Sequence, residues 1–308
     1  MHETNQQTLK NITTFSGIGL HSGKKTNVRL LPGSEDQGII FKRIDVQSNN
    51  IIEANFKNVK SANLCTTLEN RSGYRISTVE HLLAAFYITG IDNAVIEIDN
   101  EEVPIMDGSS IEFLKIIKKA GLKKLNKKRK FLKIIESLKF EDKGKKISVE
   151  PSYSSFEVEF ELDYKNKIIG NQKNCINFSN DDLTDVYSSR TFCLFDDIEK
   201  IKKSGLAKGG SLENAIVVSD EKIMNTEGLR NVKEFVNHKI LDLAGDFLLS
   251  GHRILGKVNC YKGGHEFTNT FLRKLLKSKS SYKIIELENV DIHSKLNTNH
   301  LQKLVVNA

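Results

Sequence analysis

Apolar positions in the first third of the chain fall in short, turn-bounded runs. They predict strands at 28–31, 38–43 and 51–56, with Pro32-Gly33 as a turn between the first two. The pattern then lengthens. Ser77-Thr78-Val79-Glu80 reads as a capping box that opens a helix to about Thr89, closed by Gly90. A strand at 94–98 follows, then the turn Pro104-Ile-Met-Asp-Gly-Ser-Ser and a second helix at 111–120. The run KKLNKKRKFLK at 123–133 has little apolar content before Phe131 and reads as a linker.

The second half begins again with strands at 131–135, 147–151 and 156–164. A segment at about 195–218 looks inserted, with a short helix, the Gly209-Gly210 turn and a β-prone AIVV run. The longest helical pattern follows at 234–250, EFVNHKILDLAGDFLLS, ending at Gly251. A strand at 254–261 and the turn Gly263-Gly264-His265 lead to a last helix through about Leu276. Each half thus runs strands, a His-bearing helix, a strand, a glycine turn and a helix. His81 to Gly108 spans 27 positions and His238 to Gly264 spans 26. The expected fold is α+β: two similar two-layer domains, each a sheet plus two helices, packed with the helices facing each other and the active site between them. The domains are set at 1–125 and 126–308.

The 234–250 helix carries the chemistry. His238, Asp242 and Asp246 stand at i, i+4 and i+8, one stripe on an otherwise apolar, buried helix. Two buried carboxylates and an imidazole cost stability unless something satisfies them. A bound metal ion or a buried ion-pair network would do so, and this stretch alone leaves both open. His238 and Asp242 have the spacing of two ligands on one helix face, and His81 is the best-placed third under the two-fold repeat. Asp246 is placed to orient His265, and Lys239 to reach a developing oxyanion. Taken alone, Glu80 reads as a capping residue and Lys239 as a surface lysine.

Composition narrows the class. The 308 residues carry a net charge of +7 with pI about 9.0, which fits an anionic substrate or a general lysine bias. No zinc-finger spacing or RNP-like strand supports nucleic-acid reading. No apolar run reaches membrane-spanning length, and the N-terminus lacks a signal-peptide core. The four cysteines form no CxxC pair and read as reduced thiols of a cytoplasmic protein, expected to be monomeric.

In order along the chain, GIGLHSGKK, STVEHLLAAFYITGIDNAVIEID, PIMDGS, SRTF, GLAKGGSLENAIVV, EFVNHKILDLAGD and YKGGH resemble the UDP-3-O-acyl-N-acetylglucosamine deacetylases, zinc amidohydrolases of lipid A synthesis. The resemblance implies Zn2+ held by His81, His238 and Asp242. It implies Glu80 as general base, His265 as the charged partner or general acid, Asp246 as its holder, and Thr191 and Lys239 as oxyanion stabilisers. It makes the 195–218 insertion, through Ala207, Gly210, Ser211 and Ala215 and helped by Phe192, His21 and Cys65, a passage for the 3-O-acyl chain. It places Lys145 and Lys262 with Lys239 near the diphosphate, and Asp163 and Tyr164 near the uridine. After SRTF this chain has Cys193 and Leu194 where the family usually has Gly and Phe, and the tail beyond Val290 matches nothing in the motifs. Two rival readings are a zinc hydrolase of another amide, weakened by the absence of HExxH, and a non-catalytic basic RNA-binding module.

Overall fold

The computed structural model describes residues 4–152 and 155–287; the tail beyond Val290 lies outside them. The first half contains strands β1 (Asn5–Leu9), β2 (Thr13–Ile18), β3 (Lys25–Pro32), β4 (Ile39–Arg43), β5 (Ile51–Glu53), β6 (Val59–Ser61), β7 (Thr67–Glu69), β8 (Arg75–Ile76) and β9 (Ala94–Ile98). Its helices are α1 (Glu80–Thr89) and α2 (Ile111–Ala120). β9 is central in a sheet ordered β2-β3-β9-β4-β5, antiparallel to β3 and parallel to β4. The strand expected at 51–56 stops at Glu53, and Phe56 opens a short 3-10 turn.

The second half contains β10 (Leu122–Lys128), β11 (Lys130–Ile134), β12 (Leu138–Asp142), β13 (Lys145–Glu150), β14 (Phe156–Asp163), β15 (Asn171–Asn177), β16 (Phe192–Leu194), β17 (Ile216–Val218), β18 (Arg253–Tyr261) and β19 (Tyr282–Glu286). Its helices are α3 (Thr184–Tyr187), α4 (Ile198–Lys203), α5 (Glu234–Leu248) and α6 (His265–Lys277). β18 repeats the role of β9: β13 pairs with it antiparallel and β14 parallel, flanked by β12 and β15. The β14 sequence FEVEFELD shows why it is a strand: Phe156, Val158, Phe160 and Leu162 are buried and the glutamates between them are not. The inserted segment is tied down by parallel pairing of β16 with β17.

Two expectations need correction. The basic run at 123–133 is not a linker. It forms β10, antiparallel to β1, and then enters β11. β10 is mostly exposed and, among the described residues, pairs only with β1, so it carries no alternating apolar signal. Nor does a capping box open α1. Ser77 sits in a strand-like bridge to Glu102, with its hydroxyl donating to Glu101 O. The helix starts at Glu80, whose side chain is turned inward and buried.

α1 and α5 pack directly against each other, which explains why α1 is apolar all round from Leu82 to Phe86 and buried from Glu80 to Tyr87. Gly245 makes the contact possible. A Cβ there would sit 2.1 Å from Glu80 O and 3.1 Å from Ala84 N. Gly245→Ala must therefore push the helices apart. The expected result is a loss of about 1–3 kcal/mol of stability, as for other overpacked cores. Chemical denaturation would measure it, and an unchanged unfolding midpoint would mean that the helices have room to separate.

Candidate metal and acid–base site

The seam between α1 and α5 brings together what the sequence separates by more than a hundred positions. His81 lies at the second position of α1, and His238 and Asp242 lie one turn apart on α5. Their ligand atoms fall within 4.8 Å of one another, and all three residues are buried. Asp242 Oδ1 faces His81 Nε2 at 3.4 Å and His238 Nε2 at 3.3 Å. Its other oxygen accepts from Lys239 Nζ at 2.7 Å.

The hydrogen-bond donors decide what this cluster can hold. Ser189 O lies 3.0 Å from His238 Nδ1. A carbonyl only accepts, so Nδ1 carries the proton. Burial then drives the His238 pKa down to about 3, so the ring is neutral and Nε2 presents a lone pair. That lone pair points at a carboxylate oxygen which has no hydrogen-bond partner among the described residues, and His81 Nε2 faces the same oxygen. A lone pair aimed at an unpartnered carboxylate oxygen, with a second imidazole nitrogen on the same oxygen, suits a cation between them. Two imidazoles and a carboxylate form a divalent-metal donor set that leaves a coordination position open.

A second set of groups borders the first. His265, the first residue of α6, has Nδ1 2.8 Å from Asp246 Oδ2. Its Nε2 lies 3.7 Å from both Glu80 Oε1 and Asp242 Oδ2. Burial alone would lower its pKa, but Asp246, Asp242 and Glu80 together push it up to about 10. Burial raises the Glu80 carboxyl, with the histidines opposing. Lys239 is no free surface lysine. Burial would lower its pKa, but Asp242 outweighs this and holds it charged, and its ammonium also lies over the Phe192 ring. Of the two glycines before His265, only Gly263 is constrained: a Cβ there would strike Cys260 Sγ, while Gly264 has open space.

Glu80, His81, His238, Lys239, Asp242 and His265 line a cavity of about 290 Å³ that also includes Lys145, Tyr164, Thr191 and Phe192. It abuts an apolar cavity of about 340 Å³ lined by His21, Ala207, Gly210, Ser211 and Ala215. Leu20, Leu64, Thr191 and Phe192 line both, so the two spaces share a wall. Cys65 lines neither cavity; its thiol is buried beside Glu80 and pushed up to about 12, first by burial. Asp163 and Lys262 do not line them either. They pair with each other at 2.7 Å, and Tyr261 OH also donates to Asp163. A larger cavity of about 400 Å³, lined in part by Arg129, Arg253 and Asn93, lies apart from the histidine cluster.

Several contributors carry no signal in the sequence. Thr66 donates its hydroxyl to Asp246 Oδ1 at 2.6 Å and its N–H to Glu80 Oε2 at 3.1 Å, tying the two carboxylates together. Glu102 accepts from His21 N, Ser22 N and Thr78 Oγ1 and so fixes the loop at the apolar cavity. Leu20, Phe195 and Met224 join its lining. Thr66 and Glu102 sit in irregular segments with no periodicity to flag them. Apolar residues among turns look like any satellite core.

Residues 6–277 match the family described as UDP-3-O-acyl N-acetylglycosamine deacetylase. The chain is also similar to proteins named UDP-3-O-acyl-N-acetylglucosamine deacetylase. The one from Geobacter sp. (strain M21) is 43% identical over 282 residues, covering 91% of this chain and 92% of that protein. The one from Geotalea uraniireducens is 43% identical over 283 residues, 92% of each. The one from Aliivibrio fischeri is 41% identical over 286 residues, 92% of this chain and 93% of that protein.

Proposed function

We propose a function for the site from one premise: the chain belongs to the UDP-3-O-acyl N-acetylglycosamine deacetylase family. It is a deacetylase of lipid A synthesis. It hydrolyses the N-acetyl group of UDP-3-O-acyl-N-acetylglucosamine to give the free amine and acetate.

The metal is zinc in this reading, held by His81, His238 and Asp242. The observation that carries it is the His238 tautomer, which aims an unprotonated Nε2 at an unpartnered carboxylate oxygen. When bound there, zinc would polarise the amide carbonyl and make a water acidic enough to deprotonate near neutral pH. Glu80, one oxygen held by Thr66 N–H, takes the water proton as general base. The Thr191 hydroxyl and the Lys239 ammonium stabilise the oxyanion as it develops on the carbonyl oxygen. His265, held protonated by Asp246, gives its proton to the departing amine.

The second cavity takes the 3-O-acyl chain, with each buried methylene contributing about 0.8 kcal/mol. Lys145 and Tyr164 line the first cavity, which supports Lys145 for the diphosphate and Tyr164 for the uridine. Lys262 and Asp163, paired with each other and lining neither cavity, take no part in this reading, and Cys65 supports the wall behind Glu80. The chain acts as a monomer in the cytoplasm without a nucleic-acid partner, in two units whose expected boundary at 125/126 falls inside β10 and not in a linker. No helix among the described residues is long and apolar enough to cross a membrane.

Elemental analysis alongside a deacetylation assay tests the assignment. One zinc per chain is expected, with acetate release from the UDP-sugar lost on chelation and restored by zinc. Full turnover in metal-depleted protein would sink it. The acyl assignment is tested at Ala215, buried in the apolar cavity. Ala215→Trp should depress kcat/KM for the acylated substrate far more than for its de-acylated analogue, whereas equal losses would mean that the chain binds elsewhere.

A further inference from the structure

The i, i+4 stripe of α5 begins one turn before His238, at Glu234. This carboxylate is completely buried and accepts four hydrogen bonds: from Arg190 N at 3.1 Å, Arg190 Nε at 2.8 Å, Arg190 Nη2 at 3.3 Å and Arg230 N at 2.6 Å. Arg190 is itself 2% exposed, and its remaining donors reach Glu227 Oε1 and Gly228 O. Two facts make this more than a structural ion pair. The residue before Arg190 is Ser189, whose carbonyl fixes the proton on His238 Nδ1. The residue after it is Thr191, which lines both cavities and is held through Gly108 O and Ile216 N. Arg190 is thus the fixed midpoint of a tripeptide with one end on the metal ligand and the other in the cavity wall. The exposed side of the same segment is held by Arg230, whose Nη1 donates to Ser188 O at 2.9 Å and to Asp107 Oδ2 at 2.8 Å.

We propose that the buried Glu234–Arg190 pair, braced by Arg230, is a positioning clamp that sets the tautomer and aim of His238 through the Ser189 carbonyl and sets the place of Thr191. Burying an ion pair gives little net stability against an apolar pair of the same volume. What this pair supplies is orientation. It couples the first turn of the ligand-bearing helix to the loop that orients the ligand, so the two move as one body. Partners that orient a metal-bound imidazole typically carry a 10–100-fold share of metal affinity. The clamp rests on the metal assignment above, and its test must separate the two.

Cobalt(II) serves as the probe, because its visible absorption reports ligand geometry independently of turnover. Wild-type protein, Glu234→Gln and Arg230→Ala are titrated with Co2+ after metal removal, with circular dichroism and the thermal midpoint as controls for folding. Wild-type protein should bind one equivalent; if it binds none, the metal assignment itself fails. Glu234→Gln should bind Co2+ roughly 10–100-fold more weakly with an altered spectrum, and lose kcat with little change in KM. Folded Glu234→Gln with wild-type affinity and spectrum overturns the clamp and leaves the metal site standing. Where Glu234→Gln does not fold, Arg230→Ala decides. Its side chain is about one-third exposed, so folding is not at stake. A several-fold loss of Co2+ affinity supports the clamp, and an affinity within twofold of wild type overturns it.

Discussion

His238→Ala protein should emerge from purification folded, without its metal and without activity. The substitution removes one of three converging donors and frees the Ser189 carbonyl, at about 1–3 kcal/mol for a buried acceptor left without a partner. His81 and Asp242 would remain as two donors on different helices, too few for tight binding against water. Metal content is the decisive readout, because a shifted α5 or a displaced Lys239 would lower activity just as well with the metal still in place. A His238→Ala protein that retains one zinc per chain would show that the donors lie elsewhere.

Glu80→Gln separates chemistry from architecture. Glu80 is the first residue of α1 and no capping bond depends on it. A glutamine keeps the carbonyl oxygen that accepts from Thr66 N and removes the cost of a buried charge. The thermal midpoint should therefore hold or rise slightly, with zinc bound. Turnover should fall by about a hundredfold or more, since the water proton loses its acceptor. The pH profile adds a sign. A base raised by burial is protonated as pH falls, so wild-type kcat/KM should decline on the acid side at a higher pH than an ordinary carboxylate would give. It should decline again as pH rises toward about 10, where His265 gives up its proton. Glu80→Gln should lose the acid-side limb. Near-normal turnover in this variant would return Glu80 to a structural role.

Much of this is legible in the sequence, and the reason differs by element. α2 is readable to its ends because Phe113, Ile117 and Ala120 mark one face and Gly121 closes it. The convergence of His238 and Asp242 is readable because helical periodicity turns spacing into geometry, and the repeat brings His81 beside them. The same stripe holds Glu234, but an acid in the first turn of a helix is commonplace, since it meets the positive end of the helix dipole, and nothing in the sequence singles this one out. Thr66 cannot be found this way, since its bond to Asp246 joins residues 180 positions apart. β10 reads as a linker because an exposed lysine-rich strand pairs through its backbone, which composition does not record. Asp163 is placed by strand position alone, and its side chain turns to Lys262 instead of the cavity.

The backbone contact at Gly245 divides the protein by rate of motion. α1 from Leu82 to Phe86 and α5 from Phe235 to Ala244, Lys239 apart, are almost wholly shielded, so their amides can exchange with solvent only when the molecule opens globally. The segment from Phe195 to Leu212 is built otherwise. α4 buries none of its residues, and Phe195 and Leu212 are 52% and 44% exposed. Its amides should exchange through small local openings, orders of magnitude sooner. In the proposed reading, proton transfer would thus sit on a slow-breathing part of the described residues, while the wall proposed to face the acyl tail would belong to a faster one. A lengthened or branched tail can then be met by a shift of that wall, with the distances among Glu80, His238 and His265 unchanged.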